Sequence, residues 1–258
     1  MAQAMMNGLI QSKLVYPQNI IASAKTKETL EYVKRYFEVN VTLNNKEVAR
    51  EADYLFLAVK PYFYSTVIEE IREYISDNTV IITIAAGVTI RSIEESFRRE
   101  VKVVRSMPNT PSLVGEGMTA YCVNTNLSDE QASDIHEIFE SFGKVELVSE
   151  ALMDAVPAIS GSSPAYVYMF IEALADGGVK QGFTRKQAYK FAAQAVLGAA
   201  KMVLETDTHP AELKDNVCTP GGTTIEAVAA LEKNHFRAAI FEAMESCTRK
   251  SVELSNKK

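Results

Sequence analysis

The sequence is poor in the residues that staple a fold or hold a metal. Three cysteines, Cys122, Cys218 and Cys247, lie far apart in 258 residues, with no CxxC pair. That excludes a disulfide scaffold or a cysteine-based zinc site, and it suits a reducing compartment. A cytoplasmic protein is therefore expected. The three histidines, His136, His209 and His235, have no metal-ligand spacing. They also have no partners for a Ser-His-Asp triad, so neither a metal centre nor a hydrolase of that kind is expected. No apolar run reaches about 18 residues, which excludes a membrane-spanning helix. The first residues carry no basic stretch followed by an apolar core, so no signal peptide is read. Positive charge is in deficit, with 27 Lys and Arg against 33 Asp and Glu for a net charge of −6. A general nucleic-acid binder with a basic face is excluded, and a local basic pocket is not.

What remains is an ordinary globular composition, 47% hydrophobic and 23% charged, in a chain long enough for two modest domains. Helical and strand periodicities alternate up to about residue 150. Helices are expected over Met1–Ile10, Lys25–Phe37, Asn45–Arg50, Tyr64–Tyr74 and Ile90–Phe97. Strands are expected over Asn19–Ser23, Val39–Leu43, Tyr54–Val59, Val80–Ala85 and Val101–Ser106. Strands that are apolar throughout, separated by helices, indicate βαβ units and a parallel sheet covered on both faces. Ligands of such sheets sit beyond the carboxyl ends of the strands.

After about Glu150 only helical patterns are found, over Pro164–Gly178, Thr184–Glu205, Thr223–Glu232 and Phe236–Leu254. Their apolar arcs are too wide for so small a bundle alone, which points to dimerisation. The fold class is α/β, with a Rossmann-type, mostly parallel sheet domain over 1–150 and an all-α dimerisation domain over 151–258. Lys257 and Lys258 read as a tail.

Several turns carry candidate chemistry. The glycine turn GxGxxG of a dinucleotide-binding fold is nowhere in the chain. The chain opens inside what reads as the helix that follows such a turn. An inner strand lost altogether would leave its neighbours' ladder groups unpaired, so a strand upstream of Met1 is the favoured expectation. At Ser23–Lys27 there is no acid to bond a ribose 2′-hydroxyl. Two hydroxyls and two lysines stand there instead, which suits a 2′-phosphate and hence NADP, or equally a solvated helix start. Ala58-Val59-Lys60-Pro61 and Ala85-Ala86-Gly87 follow strands, and their small residues would let a nucleotide approach the backbone. Lys60 reads either as a ribose contact or as a surface lysine. Asp215–Thr224 ends in Pro220-Gly221-Gly222-Thr223-Thr224 and opens a helix, whose free N–H groups and positive dipole end make an anion site or a plain capped helix. Ser160-Gly161-Ser162-Ser163-Pro164 is a second hydroxyl-rich turn of that kind.

At these residues a resemblance emerges. LKDNVCTPGGTTIEA at 213–227 resembles the signature of the pyrroline-5-carboxylate reductase family. LFLAVKP at 55–61, AAGVTI at 85–90, RSMPNTP at 105–111, SGSSPAY at 160–166 and ALADGGVKQG at 173–182 agree with it in order. The resemblance implies an oxidoreductase of proline biosynthesis that reduces 1-pyrroline-5-carboxylate to L-proline with NADPH, or with NADH. It implies that Ser23, Asn45, Ala58, Val59, Lys60, Pro61, Ala85, Ala86 and Asn216 lie along the cofactor. Gly221, Gly222 and Thr223 would hold the substrate carboxylate, and Thr224 would place its hydroxyl near the imine nitrogen. Family members open with a short strand and a glycine turn, and Met1–Met5 resembles the tail of that motif. The family position matching Ala24 is often polar. The resemblance also implies an obligate homodimer, often built into decamers, with a site between one chain's sheet edge and its partner's helices. Neither nucleic acid nor membrane is an expected partner. Two other readings stand beside it. One is a non-catalytic regulatory paralogue of the same fold. The other is an NADP-linked dehydrogenase of the β-hydroxyacid type using Lys180 or Lys190, in which the Gly221–Thr224 turn has no role.

Overall fold

The computed structural model describes residues 1–256; Lys257 and Lys258 lie outside them. Up to residue 147 the order is α1 (Ala2–Gln11), β1 (Ile21–Ser23), α2 (Lys27–Phe37), β2 (Asn40–Thr42), α3 (Asn45–Glu51), β3 (Tyr54–Leu57), α4 (Tyr64–Ile71), β4 (Val80–Thr83), α5 (Ile90–Phe97), β5 (Lys102–Met107), β6 (Gly117–Val123), α6 (Asp129–Glu140) and β7 (Gly143–Leu147). Five helices follow: α7 (Ser163–Lys180), α8 (Arg185–Thr206), α9 (Pro210–Val217), α10 (Thr223–Lys233) and α11 (Phe236–Ser255).

Local sequence sets these boundaries. Thr26 opens α2 by accepting the Thr29 N–H at 3.3 Å, satisfying a donor that the first helical turn leaves unpaired. Thr89 and Ser92 form a reciprocal capping box at the start of α5, and Thr184 with Gln187 does the same for α8. Alternate residues of β4 face opposite sides of the sheet. Ile81 packs with Leu55, Val103 and Ile93 on one side, and Val80 and Ile82 pack with Val104 and Phe139 on the other. All four residues of β4 are buried, as expected of a strand covered on both faces.

The strands form two ladders among the described residues. β1 and β2 pair in parallel. The other ladder runs β3-β4-β5-β6-β7. Its β3, β4 and β5 are parallel, β6 is antiparallel to β5, and β7 is parallel to β6. Helix α1 ties the ladders together. Its Met5 and Leu9 join Val80, Ile82 and Val104, while its Met6 joins Val33 and Val39 beside β2.

The sheet is Rossmann-like and mostly parallel, with two departures from the sequence reading. β6 and β7 carry no clean apolar signal: β6 buries Thr119 and begins at Gly117, and β7 is half exposed. Strands β3 and β4 stop at Leu57 and Thr83, two residues short of the expected ends. Ala58-Val59 and Ile84-Ala85 have left the ladder to enter the turns.

The chain forms two compact units. Unit 1 holds Met1–Ser162 together with the chain from Ser246 onward, and unit 2 holds Ser163–Glu245. This division departs from a cut at 150/151, and the cause is a set of polar ties. Asn109 Nδ2 donates to the Ser160 carbonyl at 3.0 Å, and its Oδ1 accepts the Met118 N–H at 2.9 Å. Buried Arg105 donates to Asp154 at 2.7 Å, and the Ser255 hydroxyl donates to the same Asp154 oxygen at 2.7 Å. The segment after β7 and the end of α11 thereby join the sheet domain.

Unit 2 is helical and buries little. Among the described residues its buried apolar side chains are Ala175, Ala188 and Ala192. Tyr168, Met169, Phe191, Leu197, Leu204 and Phe241 are exposed, far more apolar surface than a solitary soluble bundle carries. No described helix is long and apolar enough to cross a membrane.

Candidate active site

In unit 1 the candidate cofactor residues gather at the carboxyl edges of the strands. Leu57 of β3 pairs with Thr83 of β4. The turns 58–61 and 85–87 therefore leave the sheet side by side from parallel neighbours. Tyr64 anchors the first turn by donating its buried hydroxyl to the Leu57 carbonyl at 2.7 Å. Burial pushes the Tyr64 phenol well above its ordinary pKa, so it stays protonated and keeps donating. Lys60 caps the short helical turn Pro61–Phe63 through its backbone, and Pro61 takes the first position of that turn, where a missing N–H costs nothing. Ala58, Val59, Lys60 and Pro61 are all exposed.

The second turn rests on the end of α11. Gly87 has φ +76°, and a Cβ there would meet Leu254 Cβ at 2.9 Å. Only glycine accepts both the left-handed backbone and that close approach. Beneath it, Glu150 Oε1 accepts the Ile90 N–H at 2.9 Å and faces Arg105 at 3.4 Å. Arg105 is thus the hub that joins β5, the start of α5 and the last turn of α11.

At the β1–β2 edge, Ser23 Oγ donates to Asn45 Oδ1 at 2.7 Å, and Asn45 Nδ2 donates to Glu70 Oε2 at 2.9 Å. The two hydroxyls that the sequence offers here, to a 2′-phosphate or to a helix start, are both engaged. The Thr26 side chain caps α2 and also meets Thr29 Oγ1 at 2.9 Å. Lys25 and Lys27 remain as exposed cations.

In unit 2 the candidate substrate residues lie on one turn between α9 and α10. Gly221 has φ +65° and open space around its missing Cβ. Gly222 is the N-cap of α10 and no side chain caps that end. The first N–H groups of α10 therefore have no intrahelical or side-chain partner, and the positive end of the helix dipole faces the same way. A Cβ on Gly222 would lie 2.3 Å from Thr219 Oγ1, so that turn is tight as well as open-faced. Asn216, expected beside the cofactor, sits on α9 next to this turn in unit 2, and the other eight cofactor candidates belong to unit 1. His209, exposed, caps α9 by accepting the Ala211 N–H at 3.1 Å.

Comparison with known proteins bears on these features. Residues 150–254 match the family model described as pyrroline-5-carboxylate reductase dimerisation, and residues 1–87 match that of NADP oxidoreductase, coenzyme F420-dependent. The pyrroline-5-carboxylate reductase of Escherichia coli is 46% identical over 99% of this chain and 95% of its own length. The chain belongs to the pyrroline-5-carboxylate reductase family. Among solved structures, a pyrroline-5-carboxylate reductase from Coxiella burnetii is 34% identical at a TM-score of 0.92, over 99% of this chain and 95% of that one. A Plasmodium falciparum pyrroline carboxylate reductase, solved with NADP bound, is 35% identical at a TM-score of 0.89, over 98% of this chain and 94% of that one. The apolar surface of unit 2 accordingly belongs to a dimerisation domain. The structure also adds supporting contacts in this member of the reductase family. Glu70 on α4 and Leu254 on α11 reach Asn45 and Gly87 through long-range contacts that no local pattern announces, and Arg105, which opens the RSMPNTP segment, finds Asp154 and Glu150 only in the fold.

Proposed function

We propose that this chain reduces the C=N bond of 1-pyrroline-5-carboxylate with NADPH, giving L-proline and NADP⁺. The observation that carries the proposal is the α10 N-terminus. Its uncapped N–H groups, the open Gly221-Gly222 backbone and the hydroxyls of Thr223 and Thr224 are gathered at one point, in a chain of this family. A carboxylate fits this turn for the same reason that phosphates fit helix N-termini. Gly221, Gly222 and Thr223 hold it through backbone N–H groups, and Thr224 stands one residue further on with its hydroxyl toward the ring nitrogen. Holding the carboxylate fixes which ring face is offered for reduction.

The turns of unit 1 fit a dinucleotide. Ala58, Val59, Ala85 and Ala86 keep the backbone approachable where the parallel strands end, and the Gly87–Leu254 contact holds the second turn in place. Ser23 and Asn45 stand at the ribose end, with Lys25 and Lys27 offering charge to a 2′-phosphate. Lys60 and Pro61 steady the first turn. Asn216 is a further cofactor contact in this reading. When bound, NADPH supplies the hydride. The chain's own work is to orient both molecules so that the reacting atoms come within about 3–3.5 Å, and to keep a proton donor at the imine nitrogen. A protonated imine is the better hydride acceptor.

Residues 1–150 serve the cofactor in this reading, and 151–258 serve substrate binding and the homodimer. A decamer assembled from such dimers and a cytoplasmic location complete the proposal, the latter supported by three cysteines that are all free. The test is the purified chain with NADPH and pyrroline-5-carboxylate. Oxidation of NADPH that requires the substrate supports the reading. NADPH that binds and is never oxidised with this substrate overturns it.

A further inference from the structure

The chain Ser23–Asn45–Glu70 has a direction, and the direction has a consequence for cofactor choice. Glu70 lies on α4, half-buried, remote in sequence from both other residues. Its carboxylate only accepts hydrogen bonds. Asn45 must therefore turn its Nδ2 toward Glu70, at 2.9 Å, and its Oδ1 toward Ser23, at 2.7 Å. An amide oxygen also only accepts, so the single proton of Ser23 is committed to Asn45. What Ser23 presents outward is lone pairs.

We infer that Glu70 is a positioning residue that weakens the preference of this chain for NADPH over NADH. The inference rests on the reading of Ser23 and Asn45 as ribose-end contacts. A ribose 2′-hydroxyl donates to the Ser23 lone pairs and leaves the relay intact. A 2′-phosphate, largely dianionic at neutral pH, brings acceptors only. To bind it, Ser23 must withdraw its proton from Asn45 Oδ1, and that oxygen cannot turn away while Glu70 holds Nδ2. Lys25 and Lys27, two and four residues further on, favour the phosphate by their charge. The preference of the enzyme is the balance between these lysines and the Glu70 relay.

Glu70→Gln keeps the shape and frees the direction, because a glutamine amide can offer either oxygen or nitrogen to Asn45. Ser23 is then able to donate to the phosphate. The dissociation constants of NADPH and NADH are measured by fluorescence titration on the full-length protein. Four variants are compared with the parent: Glu70→Gln, Ser23→Ala, the double variant, and Glu69→Gln, which removes the same charge from the exposed neighbour on α4. Glu70→Gln is expected to shift the ratio of the two constants toward NADPH by about 10-fold, the weight of one hydrogen bond to a charged group. The shift is expected to vanish in the Ser23→Ala background, because the effect runs through that hydroxyl.

Equal changes for both cofactors would make Glu70 a structural support and overturn the inference. The same shift in Glu69→Gln would reduce it to bulk charge, and persistence without Ser23 would break the relay. If Ser23→Ala alone leaves both constants unchanged, the ribose-end reading itself falls. That outcome is distinct from a silent Glu70→Gln in a protein whose Ser23 matters.

Discussion

Replacing Arg105 by alanine tests how the cofactor turn is held. The Arg105 side chain is 5% exposed, against 27% for Asp154 and 40% for Glu150. It donates to Asp154 at 2.7 Å and to Glu150 at 3.4 Å. Breaking a fully buried pair costs about 3–5 kcal/mol, because the surviving charge is stranded. Here water reaches both carboxylates, Asp154 keeps the Ser255 hydroxyl, and Glu150 keeps the Ile90 N–H. The charge loss therefore falls to about 2 kcal/mol, with about 1 kcal/mol more for the packing of the arginine stem. At about 2–4 °C per kcal/mol for a chain of this size, Tm drops by about 6–12 °C. The assay is a thermal melt at fixed protein concentration, since dimerisation couples to stability. Arg105→Met, which keeps the stem, recovers part of the loss. A second readout follows from the geometry. Once Asp154 loses Arg105, the last turn of α11 no longer bears firmly on Gly87, and NADPH binds more weakly. A Tm change below about 2 °C would equate the network with an ordinary exposed ion pair and refute the reasoning.

Thr224→Ala should lower turnover about 10- to 1000-fold, the range of one lost catalytic hydrogen bond, with NADPH affinity unchanged. Steady-state kinetics decide it, and unchanged turnover removes Thr224 from the mechanism. Gly222→Ala places a Cβ 2.3 Å from Thr219 Oγ1 and 3.0 Å from the Thr219 carbonyl. The turn must open, so the KM for pyrroline-5-carboxylate should rise by about 10-fold, and an unaltered KM would dissociate the turn from the substrate. Burial raises the Cys122 thiol from 9.0 to about 11, with Glu150 adding to the rise and Arg105 opposing it. Native alkylation near neutral pH should therefore label Cys218 and Cys247 before Cys122, as read by peptide mass spectrometry. The folded state binds that proton more tightly than the unfolded state. Its contribution to stability is complete below 9.0 and is lost as pH climbs toward about 11. A Cys122→Ser variant should show less alkaline loss.

The fold was legible where the signal was local. Continuous apolar runs marked β3, β4 and β5, and helical periodicity marked α5 and α8. β6 escaped because its sequence, Gly117–Val123, opens on a glycine and carries a buried threonine after Met118, which interrupts both alternation and the apolar run. The last turn of α11 could not be assigned to the sheet domain from sequence. Its ties are long-range: the Ser255 hydroxyl to Asp154, a residue 101 positions away, and the packing of Leu254 against Gly87. At the site, the Gly221–Thr224 turn was readable because one short segment contains all of it. The candidate cofactor turns, 58–61 and 85–87, were readable as strand ends lined with small residues. Glu70 was invisible for the opposite reason. A glutamate on an amphipathic helix reads as solvated, and only the fold brings it to Asn45.

The central claim is hydride delivery to the imine carbon, and isotopic tracing tests it directly. The chain is incubated with pyrroline-5-carboxylate and NADPH carrying deuterium at the transferable position of the nicotinamide. The proline formed is then examined by mass spectrometry and NMR. One deuterium is expected, on the ring carbon that was the imine carbon and on one face of it, because a carboxylate held at the uncapped α10 N-terminus leaves the ring one orientation. Proline without deuterium, or deuterium spread over both faces, would contradict it.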